Sequence, residues 1–469
     1  MTGPGSDPAP GPHPTSHDRE IVRLAVPAFL ALVAEPLFLL ADAAIVGHLG
    51  TPQLAGLGIA AAVLQTVIGL CIFLAYGTTA GVARHVGAGD VRGAMAQGVD
   101  GIWLAVIIGA VATVLGVLLA GPLVDAFGAG SAISGPGTTY LRIAFLGTVP
   151  LLVMLASTGV LRGMQDTRTP LVVAVGGNAL NIVLNLLLVF GVGSFDGLGI
   201  AGSALGSVLA QLASAGALVL VVARAARRAG ASLRPDLPGI RTAARAAVAL
   251  VIRTLTLRAA LLVTTYAVTL GAADAHDQEV DLATHQLAMT IWTFLAFALD
   301  ALAIAAQAIT GRYLGAGDVA GTRAVTRRMV RWGVVGGLVT GVLLAASSPV
   351  LGQLFTEDGD VRRLLVPVLV VAALGQPIAG VVFVLDGVLI GAGDGRYLAL
   401  GGLLTLAVYA PLVLLVAAGA GGLTLVWVVF AGVFMGARFL VLVRRARGDA
   451  WLVTGVRAAA GSSRRALAD

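Results

Sequence analysis

The chain has 469 residues, 58% of them hydrophobic and only 12% charged, with a formal net charge of +6. A soluble domain carries charge on roughly a quarter of its residues, so an ordinary water-soluble protein is excluded. The chain has no lysine, so all 30 lysine-or-arginine positions are arginine, and arginine in loops at a membrane surface explains the positive charge better than a nucleic-acid partner does.

In chain order, residues 1–18 are polar and rich in proline and glycine, which predicts a disordered tail. No basic leader with a small-residue cleavage site precedes the first apolar run, so that run is expected to persist as a membrane helix. Apolar stretches approaching or exceeding ~20 residues, enough to cross a bilayer, lie at 21–46, 52–82, 94–120, 137–162, 169–191 and 199–223. A second set lies at 248–272, 282–311, 325–348, 363–390, 397–417 and 421–443. A basic linker at about 224–245, broken by Pro235, Pro238 and Gly239, separates the sets, and residues 446–469 form a basic tail. The expected domains are an N-lobe at 19–223 and a C-lobe at 246–445. Alternate breaks are rich in arginine (Arg84, Arg92, Arg162, Arg168, Arg312, Arg323), whereas the others carry Asp125, Asp196, Asp274 and Glu279. By the positive-inside rule both termini face the cytoplasm, and the all-arginine composition points to a bacterial inner membrane. The lone Cys71 excludes an intramolecular disulfide and a multi-cysteine metal site.

The chain repeats itself. "RHVGAGDV" from Arg84 and "RYLGAGDV" from Arg312 lie 228 residues apart, as do "GVLRGMQDTR" from Gly159 and "GVLIGAGDGR" from Gly387. Two matches at one register predict a duplicated six-helix half. Six spans return the chain to its starting side, so the lobes are related by a pseudo-twofold axis along the membrane normal. With no strand before it, "GAGD" reads as a tight turn at a helix end and not as a phosphate loop.

Ionisable residues inside a membrane are expensive and face the bundle interior. Glu35 and Asp42 lie in the first span, Asp300 in the eighth and Asp386 near the inner end of the tenth. All three asparagines, Asn178, Asn181 and Asn185, share one helical face of the fifth span. Helical rise places Asn181 ~14 Å, Asn185 ~8 Å and Asp42 ~6–8 Å before the outer ends of their spans, at similar depth. A carboxylate facing carboxamides is a candidate site for a hard cation such as Na⁺ or for a proton. The alternative is that the asparagines only bond neighbouring helices. At the repeat offset their equivalents are Leu406, Tyr409 and Val413, and that of Asp42 is Leu270, which speaks for a site private to one lobe. Asp300 is a substrate- or proton-site candidate, or else pairs with Gln307 or Arg258. Pro36 removes a backbone bond and is a candidate hinge. Tyr140, Gln65, Ser203, Gln286 and Trp292 are lesser candidates.

These stretches, with "EPLFLLADAAIVGHLGTPQLAGLGIA", "NIVLNLLLVFGVGSFDGLGIAGSAL" and "HQLAMTIWTFLAFALDALAIAAQAITGRYLGAGD", resemble the MATE (multidrug and toxic compound extrusion) transporters, most of all their DinF subfamily. The resemblance runs from about Arg19 to Arg445. It implies twelve helices in two six-helix lobes, and export of organic cations or amphipathic drugs and metabolites against H⁺ or Na⁺. By position it makes Asp42 the coupling aspartate, Asn181 its span-five partner and Tyr140 a span-four neighbour. Several DinF-type members carry aspartate where this chain has Asn185, which favours H⁺ here. The expectation is thus an all-α polytopic membrane protein: a multidrug antiporter acting by alternating access as a monomer in the lipid bilayer, without cofactor, metal site or nucleic-acid partner. Rivals are a lipid-linked sugar flippase of the same superfamily, a passive channel and a membrane-embedded enzyme. The enzyme is disfavoured by scattered histidines with no catalytic cluster.

Overall fold

A computed structural model describes residues 14–272, 274–419 and 421–456. Its helices in chain order are α1 (Pro14–Gly47), α2 (Thr51–Cys71), α3 (Phe73–Gly87), α4 (Val91–Asp125), α5 (Ser131–Leu146), α6 (Thr148–Gly163), α7 (Arg168–Phe190) and α8 (Ile200–Arg228). The second half has α9 (Leu237–Gly271), α10 (Ala275–Gly315), α11 (Val319–Phe355), α12 (Gly359–Gly391), α13 (Gly395–Ala418), α14 (Gly422–Val429) and α15 (Met435–Arg447). A π-turn at Phe430–Phe434 joins the last two. The pairs α2/α3, α5/α6 and α14/α15 each serve as one span; α5 and α6 meet at a 48° bend. Eleven apolar helices plus that bent pair make twelve crossings, so the start of α1 and the end of α15 lie at one end, called the termini end below. The exposed leucines and valines of α4, α7, α11 and α13 cover the outside, as a lipid-facing surface requires.

The repeat is kept in the helix ends. Val91 and Val319 begin α4 and α11; Gly87 and Gly315 end α3 and α10; Gly163 and Gly391 end α6 and α12. Each pair is 228 residues apart. The "GAGD" turns explain the conservation of form. Gly89 and Gly317 take φ of 76° and 77°, a left-handed step that L side chains disfavour. The aspartate that follows then caps the next helix: Asp90 Oδ1 accepts from Gly93 N at 2.8 Å, and Asp318 Oδ1 from Gly321 N at 2.7 Å. That backbone bond, with His85 beside it, holds the Asp90 carboxyl below its ordinary pKa.

Several expectations change. The helix α1 begins at Pro14, so residues 14–18 of the expected tail are helical; residues 1–13 lie outside the described residues. Only 229–236 of the expected linker is non-helical, because α8 and α9 extend into it on both sides. Asp236 caps α9 through Gly239 N at 3.1 Å, so the prolines start that helix and do not break it. In the basic tail, residues 448–456 fold back on the body with Trp451 2% exposed, while 457–469 lie outside the described residues. Helix α1 passes unbroken through Pro27 and Pro36.

Candidate functional site

The face that α7 turns to α1 and α8 is polar, and the packing of α8 makes room for it. Gly202 and Gly206 lie one turn apart, each followed by a serine. Small residues at this spacing let helix backbones approach closely. Gly202 sits against the Leu188 backbone, and Gly206 accommodates the side chain of Asn185.

Asp42 is the centre of this contact, 3% exposed. Its Oδ1 accepts from Asn185 Nδ2 at 2.7 Å and from Ser203 Oγ at 2.6 Å. Its Oδ2 accepts from the Tyr140 hydroxyl at 3.2 Å. Asn185 Nδ2 also reaches Asn181 Oδ1 at 3.0 Å, and Asn181 Nδ2 donates to Ser207 Oγ at 3.0 Å. Thus α1, α5, α7 and α8 each contribute to one buried network. Among the described residues no cation pairs with Asp42; neutral donors alone hold it. Asn185 Oδ1 is buried beside it without a hydrogen-bond partner. The sequence places Asp42, Asn181, Asn185 and Tyr140 together, and the structure does so too. Asn178 departs: its Nδ2 donates to the Ala34 carbonyl at 3.0 Å, tying α7 to α1 just before Pro36. Ser203 proves central, and Ser207 was missed, although the Gly-Ser pairs one turn apart in α8 are a readable signal.

The other candidates are dispersed. Glu35 and Gln286 are exposed, while Gln65, Trp292 and Asp300 are partly exposed. Gln307 is 2% exposed, and its backbone lies against Gly391 of α12. No hydrogen bond joins Asp300 to Gln307 or to Arg258; it faces Arg162 and Arg253.

The two lobes meet at the end bearing the start of α1 and the end of α15, where a set of inter-lobe hydrogen bonds lies. Gly87 rests against the carbonyl of Arg312, and Gly315 against the carbonyl of Arg84. These pairs exchange under the 228-residue repeat, so the duplicated motif closes on itself around the pseudo-twofold axis. Arg84 donates to the carbonyls of Ala392 at 2.6 Å and of Val453 and Gly455 at 2.9 Å. Arg312 donates to Glu20 Oε1 at 2.6 Å and to Gln165 Oε1 at 3.0 Å, and Gln165 Nε2 donates to Glu20 at 3.0 Å. Asp18 accepts from Arg328 and from Trp332 Nε1 at 2.8 Å.

Gln165 has φ 64°, the one left-handed non-glycine among the described residues; its repeat equivalent is Gly393, at φ 72°. That conformation costs about 1–2 kcal/mol for an L residue, and here it aims the carboxamide at Arg312. Gln165→Gly is therefore expected to leave thermal stability unchanged or slightly higher while loosening the lobe contact. Spin labels at positions 168 and 327, exposed in opposite lobes, should move apart in that variant. An unchanged distance distribution would make Gln165 a mere turn residue.

A two-lobed bundle with a buried carboxylate in one lobe and closure at one end is the architecture of a membrane transporter. The MatE family model matches the chain twice, at residues 27–187 and 257–415. Protein DETOXIFICATION 44, chloroplastic, of Arabidopsis thaliana is 30% identical, covering 96% of this chain and 84% of its own. DNA damage-inducible protein F of Escherichia coli is 32% identical over 81% of each chain. The bent form of the Vibrio cholerae MATE transporter VcmN superposes with a TM-score of 0.81 at 22% identity, covering 92% of this chain and 98% of that one. The chain belongs to the MATE family, in its DinF type. It is a multi-pass membrane transporter of the multidrug and toxic-compound efflux group, and not an enzyme.

Proposed function

We propose that the chain is a proton-coupled antiporter that exports organic cations or amphipathic compounds by alternating access. The observation that carries this reading is the Asp42 network. A buried carboxylate with only neutral donors gains by taking up a proton. Three donors already occupy the carboxylate, so a Na⁺ would have to displace them, and Na⁺ requires several oxygen ligands facing it. The equivalent positions of the C-lobe, Leu270 and Val413, hold nothing that titrates.

With arginines marking the cytoplasmic face, the termini end is the inner end. With the lobes in contact there, the reading takes this form as the outward-facing state, the one in which substrate leaves. Glu35, Gln65, Gln286, Trp292 and Asp300, dispersed over both lobes, are the candidate substrate contacts. Proton uptake at Asp42 would rearrange α1 against α7 and α8, and Pro36 is where α1 lacks a backbone bond and can bend. The reading places the chain in a bacterial inner membrane as a monomer needing no cofactor beyond the coupling ion.

Proteoliposomes loaded with a cationic dye, given a pH gradient or a Na⁺ gradient separately, test it. Dye movement driven by the pH gradient and indifferent to Na⁺ is the expected result. Movement driven by Na⁺ alone would reassign the ion. No movement under either would overturn the antiporter reading.

A further inference from the structure

A second charged cluster lies between the lobes, toward the termini end, away from Asp42. Arg253 of α9 and Arg438 of α15 converge on the same oxygen, Oδ2 of Asp386 on α12; the Arg438 contact is 3.2 Å. Arg253 also covers the ring of Tyr76 on α3, at 5.8 Å to the centroid. Asp300 of α10 faces both Arg253 and Arg162 of α6 without an ion pair to either. Six helices from both lobes thus meet at three guanidiniums and two carboxylates.

The charges do not balance, and neither do the donors. One positive charge is in excess, with the Arg253 and Arg438 side chains only 13% and 12% exposed. A guanidinium offers five N–H donors, yet Arg253 and Arg438 each use a single nitrogen on Asp386, and Arg253 Nε is buried with no acceptor. An unneutralised charge within a membrane protein is costly and marks a ligand path. The repeat excludes a scaffold role shared by both lobes: the equivalents of Arg253, Asp300, Asp386 and Arg438 are Ala25, Ile72, Thr158 and Ala210.

Aromatic rings lead away from the cluster. Arg438 lies over Phe434, 5.8 Å from its centroid. Phe434 stacks on Phe430 at 5.4 Å, and Phe430 meets Trp292, a partly exposed cleft candidate, edge-on at 5.5 Å. The π-turn at 430–434 brings both phenylalanines to this face, and such turns recur at functional sites.

We infer that Arg253 and Arg438 form a binding site for the acidic group of an amphipathic, aromatic substrate, so that carboxylates are transported as well as cations. The inference rests on the efflux reading and narrows its substrate class. Planar carboxylates match the guanidinium fork. Asp386 holds the arginines in place when the site is empty, and separation of the lobes at the termini end would open it to the inner side.

The test is fluorescence anisotropy of carboxyfluorescein with the purified full chain in detergent. Saturable binding is expected, weakened about tenfold or more in Arg438→Gln by loss of one charged partner and partly recovered in Arg438→Lys. Asp300→Asn, which removes a competing negative charge, should tighten binding, a gain that a misfolded protein cannot show. Absence of saturable binding to the unaltered chain, or binding indifferent to both Arg438→Gln and Asp300→Asn, overturns the inference. Displacement of the dye by phosphatidylglycerol added to the micelles would overturn it in favour of a lipid headgroup. Ethidium flux by the unaltered chain in proteoliposomes checks the efflux reading separately, because binding in detergent needs no gradient.

Discussion

Asp42→Asn is expected to fold, reach the membrane and carry no proton-driven dye flux. An amide in place of the carboxyl keeps one oxygen to accept from Asn185 and Ser203, and it turns an N–H₂ toward the Tyr140 hydroxyl. The network survives in the form it has when the acid is neutral, but the group no longer titrates. Asp42→Ala is expected to be worse for the fold. It leaves the hydroxyls of Ser203 and Tyr140 and one N–H of Asn185 without that acceptor, at about 1–3 kcal/mol for each group stranded. The two variants therefore separate coupling from stability. Flux in proteoliposomes under a pH gradient, set beside the thermal midpoint of each purified protein, is the measurement. Undiminished flux in Asp42→Asn would place the coupling group elsewhere.

Gly87→Ala combined with Gly315→Ala is expected to abolish export by a different route. In the closed contact a methyl on either glycine would overlap the backbone carbonyl of Arg312 or Arg84. Backbone cannot swing aside as a flexible side chain can, so the closed form must separate. Overpacking of this kind costs about 1–3 kcal/mol per site, and each ~1.4 kcal/mol shifts the balance of lobe states tenfold. Neither glycine has a positive φ, so the backbone itself does not oppose alanine there. Folding should hold while the population moves to the form open at the termini end. Longer distances between labels at 168 and 327, together with lost efflux, are the expected pair of results. Normal efflux with an unchanged distance would show that the contact is incidental. Arg84 supports the same closure: it bridges α3 to the carbonyls at the end of α12 and to the folded-back segment around Val453.

The order in which these features became legible follows the range of the interactions. Apolar run length and arginine alternation are local, and they determined twelve spans and their alternating direction from the sequence alone. The repeat needs only the chain compared with itself. It predicted paired helix ends, which the structure keeps to the residue at Gly87 and Gly315. Helical periodicity and rise put Asn181 and Asn185 on one face at the depth of Asp42, because 3.6 residues per turn is set by backbone geometry. Which faces then meet depends on close packing between distant segments. Only the tertiary structure showed that Ser203 and Ser207, presented by the glycine stripe of α8, complete the Asp42 network, and that Asn178 belongs to the α1 contact instead. The same holds for the convergence of Arg253 and Arg438 on Asp386, more than a hundred residues from the first of them and 52 from the second. Their spacing in sequence carries no periodic signal. They are brought together by the packing of one lobe, and they face Tyr76 and Arg162 because the two lobes close at the end where α1 begins and α15 ends.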